Sequence, residues 1–181
     1  MDRLIWVLLT IVLIALVFWA MRRGWVNRVR RQQAVLAEFP APPAELGTVE
    51  LRPAMTGMYV GTTRAPDWQD RIAVGDIGHR SEGVARLHPS GLLLERTGAT
   101  ALWIPAESIV DARRDHKLAN KVVPGAGLLV VRWRLGETEL DTGFRFDDKA
   151  EHEPWAEAVR GLGPAAVAAH DTTANSRQED E

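Results

Sequence analysis

The sequence predicts a mainly β domain carried behind one membrane-spanning α-helix and capped by one short C-terminal α-helix. Three observations predict it. Leu4 to Met21 is an unbroken apolar run. From Thr48 onward the chain alternates apolar and polar residues with a period of two, interrupted by turn residues. Near the end, "EPWAEAVRGLGP" switches to the period of a helix.

The apolar run contains one weakly polar residue, Thr10, and no Pro or Gly. As a helix it would be about 27 Å long, close to the hydrocarbon thickness of a bilayer. A helix of a soluble core would show a polar face, and this stretch has none. Trp6 and Trp19 lie near its ends and Trp25 just beyond, where indole rings favour the interface. A cleaved export signal needs a shorter apolar stretch and small residues at the cleavage site. Here bulky Phe18, Trp19 and Met21 occupy those places, so a retained anchor is expected. Arg22, Arg23, Arg28, Arg30 and Arg31 follow the run, and only Arg3 precedes it. Positive charge stays on the cytoplasmic side. Residues 1–3 are therefore expected outside, 4–21 in the plasma membrane and 22–181 in the cytoplasm. The same five arginines would lie at the membrane surface, within reach of anionic lipid.

Residues 22–47 read as a basic juxtamembrane segment and a Pro-rich linker. The helix would run on from Gln32 to Phe39, and then Pro40, Pro42 and Pro43 favour an extended spacer. The domain is expected over 48–162. "TVELRPAMTGMYVGTT" supplies one or two strands, with Pro53 confined to an edge or a bulge. "GVARLHPSGLLLERTGATALWIP" holds three strands, separated by Pro89-Ser90-Gly91 and Thr97-Gly98-Ala99, and "SIVDARR" a fourth. "GLLVVRWRLGETELDTGFRF" is the clearest hairpin. Leu129, Val131, Trp133 and Leu135 share one face, as do Leu140, Thr142, Phe144 and Phe146 on the return strand. Arg132 and Arg134 then face Glu139 and Asp141 as cross-strand charge pairs. In the last helix Trp155, Ala158, Val159 and Leu162 line one side. Pro154 suits a first turn, although the helix can start as early as Lys149. So short a helix must cap the sheet. Residues 163–181 read as a disordered acidic tail, with Asp171, Glu179, Asp180 and Glu181 against Arg177.

Seven short strands closed by a Trp-bearing helix resemble the pleckstrin-homology (PH) superfold. Residues "YVGTT" (59–63), "DWQDR" (67–71), "GLLLER" (91–96), "ALWIP" (101–105), "GLLVVRW" (127–133) and "DTGFR" (141–145) look like those of actinobacterial single-pass membrane proteins with a bacterial PH-like domain. The resemblance spans about residues 1–162. It implies a PH-like seven-stranded β-barrel or sandwich, and it carries over no catalytic residue. Eukaryotic relatives hold phosphoinositides on a basic loop after the first strand. Here that region reads "TTRAPDWQDRIAVGD", where Asp67, Asp70 and Asp76 offset Arg64 and Arg71.

Chemistry is sparse. The chain of 181 residues has no cysteine, which excludes thiolate metal sites and thiol nucleophiles, and its net charge of −2 does not call for nucleic acid. His79, His88, His116, His152 and His170 are scattered, without metal-helix spacing, and are expected in solvated loops. There is no G-x-S-x-G elbow. Gly125 and Gly127 in "PGAGLL" precede a strand, not a helix, so a nucleotide loop is not expected. No cofactor is expected. Two constellations are candidates for contact. In "DARRDHKLANK", expected as a loop, Arg113, Arg114, Lys117 and Lys121 could hold an anionic lipid or an acidic partner. Tyr59, Trp68 and Arg71 could form a second contact around a polar loop. The expected function is a membrane-anchored, non-enzymatic module that binds a membrane protein or anionic lipid. The alternative is an accessory or regulatory subunit of a transport or cell-envelope complex.

Overall fold

The computed structural model describes residues 2–33 and 36–164, and the chain divides into two compact units at Val35/Leu36. The tail expected over 163–181 lies almost wholly outside the described residues. The first unit is α1 (Asp2–Gln33). Its stretch from Ile5 to Gly24 is long and apolar enough to cross a membrane. Arg22 and Arg23 are exposed, and the Arg23 guanidinium lies 5.6 Å from the Trp19 ring. The side chains of Arg28, Arg30 and Arg31 lie outside the description. The helix ends at Gln33, before the Phe39 expected from the sequence.

The second unit is built on seven antiparallel strands: β1 (Arg52–Arg64), β2 (Ser81–His88), β3 (Gly91–Arg96), β4 (Leu102–Pro105), β5 (Ile109–Asp115), β8 (Leu128–Leu135) and β9 (Thr138–Phe146). Between β5 and β8 a small hairpin of β6 (Lys117–Leu118) and β7 (Lys121–Val122) stands apart from them. The strand order is β4-β3-β2-β1-β9-β8-β5, so the sheet stays open with β4 and β5 as its edges. The long front segment forms one strand, and Pro53 falls where the β1–β2 register shifts, between Arg52 and Met55. There its missing N–H leaves no ladder position unfilled.

A capping helix, α2 (His152–Arg160), follows a 3-10 turn at Lys149–Glu151 and packs on β5 and β8. Asp148 caps that turn by accepting from the Ala150 N–H at 2.9 Å. Trp155 and Val159 are fully buried, as expected. His152 and Ala156 join them, while Ala158 and Leu162 are only half-buried. The helix meets the sheet along β5 and β8, where Ala112 is fully buried.

The main core fills the inner face. Leu87, Leu94, Ile104, Trp133, Phe144 and Trp155 belong to it, and the Phe146 ring packs tilted against Trp155, 5.0 Å between centroids. The stretch expected to be a spacer contributes as well. Leu36 is buried in this core, and the Phe39 ring lies 6.1 Å from Trp133. The packed unit therefore begins at Leu36, ahead of the start expected at Thr48. A second, smaller cluster of Val60, Leu118, Ala119, Leu128 and Val130 lies on the outer face beneath the β6–β7 hairpin. Gly143 of β9 makes that possible, because a Cβ there would collide with the Leu118 and Leu128 side chains.

Candidate functional site

The segment 113–121 is not the loop the sequence suggested. Arg113 and Arg114 belong to β5, and Lys117 and Lys121 to the hairpin. The turn, Ala119-Asn120, has positive φ at both residues, 50° and 61°, which suits a tight two-residue hairpin. Strand alternation separates the cations. Arg113 points to the outer face and is committed there. Its Nη2 donates to Asp141 Oδ2 at 2.9 Å and its Nε to Asp115 Oδ2 at 3.2 Å. Arg132 grips the same Asp141 through both oxygens, at 2.9 Å each. Burial pushes the Asp141 carboxyl up, but the hydrogen bonds from Arg132 and Arg113 outweigh it and hold the group below its usual value. Arg114 and Lys117 are exposed. Lys121 is half-buried and lines a cavity of about 300 Å³.

The second constellation also divides. Tyr59 is fully buried and offers no contact surface. Its hydroxyl ends a hydrogen-bond relay through the core. Trp133 Nε1 donates to Thr142 Oγ1 at 2.9 Å, Thr142 and Thr62 hydroxyls meet at 2.8 Å, and Thr62 meets Tyr59 Oη at 2.8 Å. Tyr59 Oη in turn donates to the Ile77 carbonyl at 2.9 Å. The indole can only donate and the carbonyl can only accept, so the three hydroxyls all point the same way. Burial pushes the Tyr59 pKa up to about 12. Arg71 donates to the Gly78 carbonyl at 2.5 Å and so braces the loop after β1. Trp68 is half-buried, and its carbonyl accepts from the Asn120 N–H at 3.3 Å. With the Asn120 side chain on the Gln69 carbonyl at 3.2 Å, the two constellations meet at the hairpin tip. What joins them is Asn120, through its N–H and its side-chain amide, and not the charged side chains.

Sequence reading missed three groups. Arg96 is buried across the Tyr59 ring, 4.7 Å from its centroid, with Nη2 on Asp76 Oδ1 at 2.5 Å and Nε on the Thr100 carbonyl at 2.7 Å. Burial raises the Asp76 pKa, yet hydrogen bonds from Thr100 and Arg96 bring it below the usual carboxylate value. His88 and His152 are buried rather than solvated. His152 Nδ1 meets the Lys149 carbonyl at 3.0 Å and Nε2 accepts from the Phe146 N–H at 3.1 Å, which assigns the neutral Nδ1–H tautomer. Finally, Arg80 and Arg145, far apart in sequence, line the Lys121 cavity together. Only the outward position of Arg145 on its strand could be read beforehand.

Among the described residues no three His, Asp or Glu side chains are grouped to hold a metal ion. A larger cavity of about 370 Å³ lies elsewhere, between Phe39–Pro42, Val74–Ile77 and Thr100–Leu102. Its carboxylate, Asp76, is engaged by Arg96. A seven-stranded antiparallel sheet with a C-terminal capping helix is the PH arrangement, and a family model described as "Bacterial PH domain-like" matches residues 36–160. The chain belongs to this family. The match starts at Leu36, where the packed core starts, so the PH-like domain includes the Pro-rich stretch. No curated protein matches the chain. PH-like domains are in general interaction modules, and the buried charged and hydroxyl groups described above bond to one another inside the fold.

Proposed function

We propose that the protein is a non-enzymatic interaction module: a PH-like domain held at the cytoplasmic face of the plasma membrane by α1, where it docks a membrane protein or an anionic lipid surface. One pairing of features carries the reading. A helix with an apolar stretch from Ile5 to Gly24 is followed almost directly by a PH-like domain whose core begins at Leu36. A tether this short confines the domain to a thin layer beside the bilayer, which raises the effective concentration of anything it binds there. The arginine cluster after the apolar stretch supports the cytoplasmic side.

The chain has no cysteine, so single reporters can be introduced without background. Glu137→Cys, in the exposed β8–β9 turn, should resist a membrane-impermeant maleimide in intact cells and react after lysis. The full-length chain should stay in the membrane fraction and bring a stoichiometric partner or lipid with it in mild detergent. Labelling in intact cells would overturn the cytoplasmic side. Release of a shortened chain into the soluble fraction would overturn the anchor.

A further inference from the structure

The outer face of the PH-like domain carries a groove that none of the paired charges explains. Two adjoining cavities share Arg80 and Arg145. One, of about 300 Å³, adds Lys121 and an apolar wall of Val60, Val122, Val123 and Pro124. The other, of about 230 Å³, adds Lys149, Met58 and Asp147. Most other arginines of the domain are matched, Arg52, Arg86, Arg96, Arg113, Arg132 and Arg160 each reaching a carboxylate, while exposed Arg114 reaches none among the described residues but lies outside the groove. Among the described residues Arg80, Lys121, Arg145 and Lys149 reach none. Asp147 is the sole acid in the lining, and its Oδ2 already accepts from Thr56 Oγ1 at 2.7 Å. Four cations converge on a concave surface with one acid, which selects an anion with several oxygens. Beside them Val122 is 63 % exposed, next to exposed Pro124. An apolar side chain presented to solvent amid unmatched cations has the makeup of a bilayer-surface contact, where cations meet phosphates and the apolar group enters the interface.

We propose that this groove docks the phosphate-bearing headgroups of an anionic bilayer, with Arg80, Arg145, Lys121 and Lys149 on the phosphates and Val122 in the interface. The proposal rests on the membrane-anchored reading above, which makes headgroups the most concentrated anion within reach. The site differs from the one expected from sequence. Of Arg113, Arg114, Lys117 and Lys121, only Lys121 lines it.

The domain of residues 36–164 is suited to the test, because among the described residues both of its cores draw on Leu36 and residues after it. It should sediment with phosphatidylcholine vesicles containing phosphatidylglycerol but not with phosphatidylcholine alone, and less so as salt rises. Arg80→Glu with Arg145→Glu should weaken binding at least about tenfold. The milder Arg80→Gln with Arg145→Gln should weaken it in the same direction with an unchanged melting curve. Val122→Ser should weaken it without altering the salt dependence. Arg114→Glu with Lys117→Glu, exposed and outside both cavities, should change binding less than about twofold. Equal loss from that control pair would reduce the effect to unspecific attraction and overturn the groove. So would full binding by the Arg80/Arg145 variants. Saturable binding of inorganic phosphate, lost in those variants while vesicles do not bind, would assign the groove to a free anion and overturn the lipid. The experiments on the full chain test the tethered reading separately: labelling in intact cells would sink the cytoplasmic side, release of a shortened chain would sink the anchor, either would leave vesicle binding intact, and an indifferent groove would leave side and anchor intact.

Discussion

Replacing Asp141 by Asn tests whether the outer-face charges hold the sheet together. Asp141 is 2 % exposed, and its carboxylate receives three hydrogen bonds from two arginines, one on the neighbouring strand β8 and one on β5 beyond it. Asn keeps the size. Its Oδ1 can still accept from Arg132 Nε, but its amide then faces Nη2 of Arg132 and Nη2 of Arg113, both donors. Two charge-assisted bonds are lost, at about 1.5–3 kcal/mol each. The arginine side chains are 31 % and 26 % exposed and can rehydrate, and Arg113 keeps Asp115, so about half of that sum should be felt. The expected loss is about 1.5–3 kcal/mol, or roughly 5–9 °C in Tm for a domain of this size. Guanidinium unfolding of residues 36–164 at neutral pH measures it. The pH dependence adds a second reading. Asp141 is held below its usual pKa, so its contribution is present above the ordinary carboxylate value of about 3.9. That contribution is lost as pH falls through the lowered value, and the gap between wild type and Asp141→Asn should close in strong acid. A loss under about 0.5 kcal/mol at neutral pH would refute the reasoning, because an exposed, dispensable pair gives that little.

Trp155→Ala should cost about 3–5 kcal/mol by chemical denaturation, since the ring is fully buried against Phe146 and α2 is too short to persist unpacked; an unchanged midpoint would mean that the helix does not cap the core. His152 is held below its usual pKa by burial first and by Arg114 and Arg145 as well. Its contribution is therefore complete above about pH 6.5 and declines as pH falls below it. The urea midpoint should drop over that window in wild type and stay flatter in His152→Gln, and parallel slopes would exclude the imidazole as the cause.

Much of the framework was legible in the sequence because its cause is local. Period-two alternation in "GLLVVRWRLGETELDTGFRF" placed Arg132 and Arg134 facing the acids of the return strand, and the structure pairs Arg132 with Asp141 and Arg134 with Glu139 on β8 and β9. Trp155 and Val159 lie on the buried face for the same reason, a period the chain itself carries. Two expectations failed where contacts over long sequence distances outweigh local preference. A Pro-rich stretch favours an extended backbone, but nothing in its composition says that Leu36 and Phe39 will meet Trp133. A run of charge such as "ARRDHK" reads as a solvated loop, but Asp141, on another strand, draws Arg113 into a strand pairing.

The apolar helix, the arginine asymmetry beside it, the strands with their turns and the capping helix were determined by the sequence alone, since each is written in the spacing of neighbouring residues. The candidate groove was decided by tertiary structure. Arg80 and Arg145 lie far apart in the chain, and each alone reads as an exposed arginine. The central strand β1 pairs with β2 on one side and β9 on the other, with Met58 opposite both Glu82 and Arg145. That double pairing sets the end of the β1–β2 loop, where Arg80 lies, beside Arg145. The hairpin that seats Lys121 there needs the bare surface of Gly143 beneath it. Sheet register is a property of three strands at once, and no window of sequence contains all three.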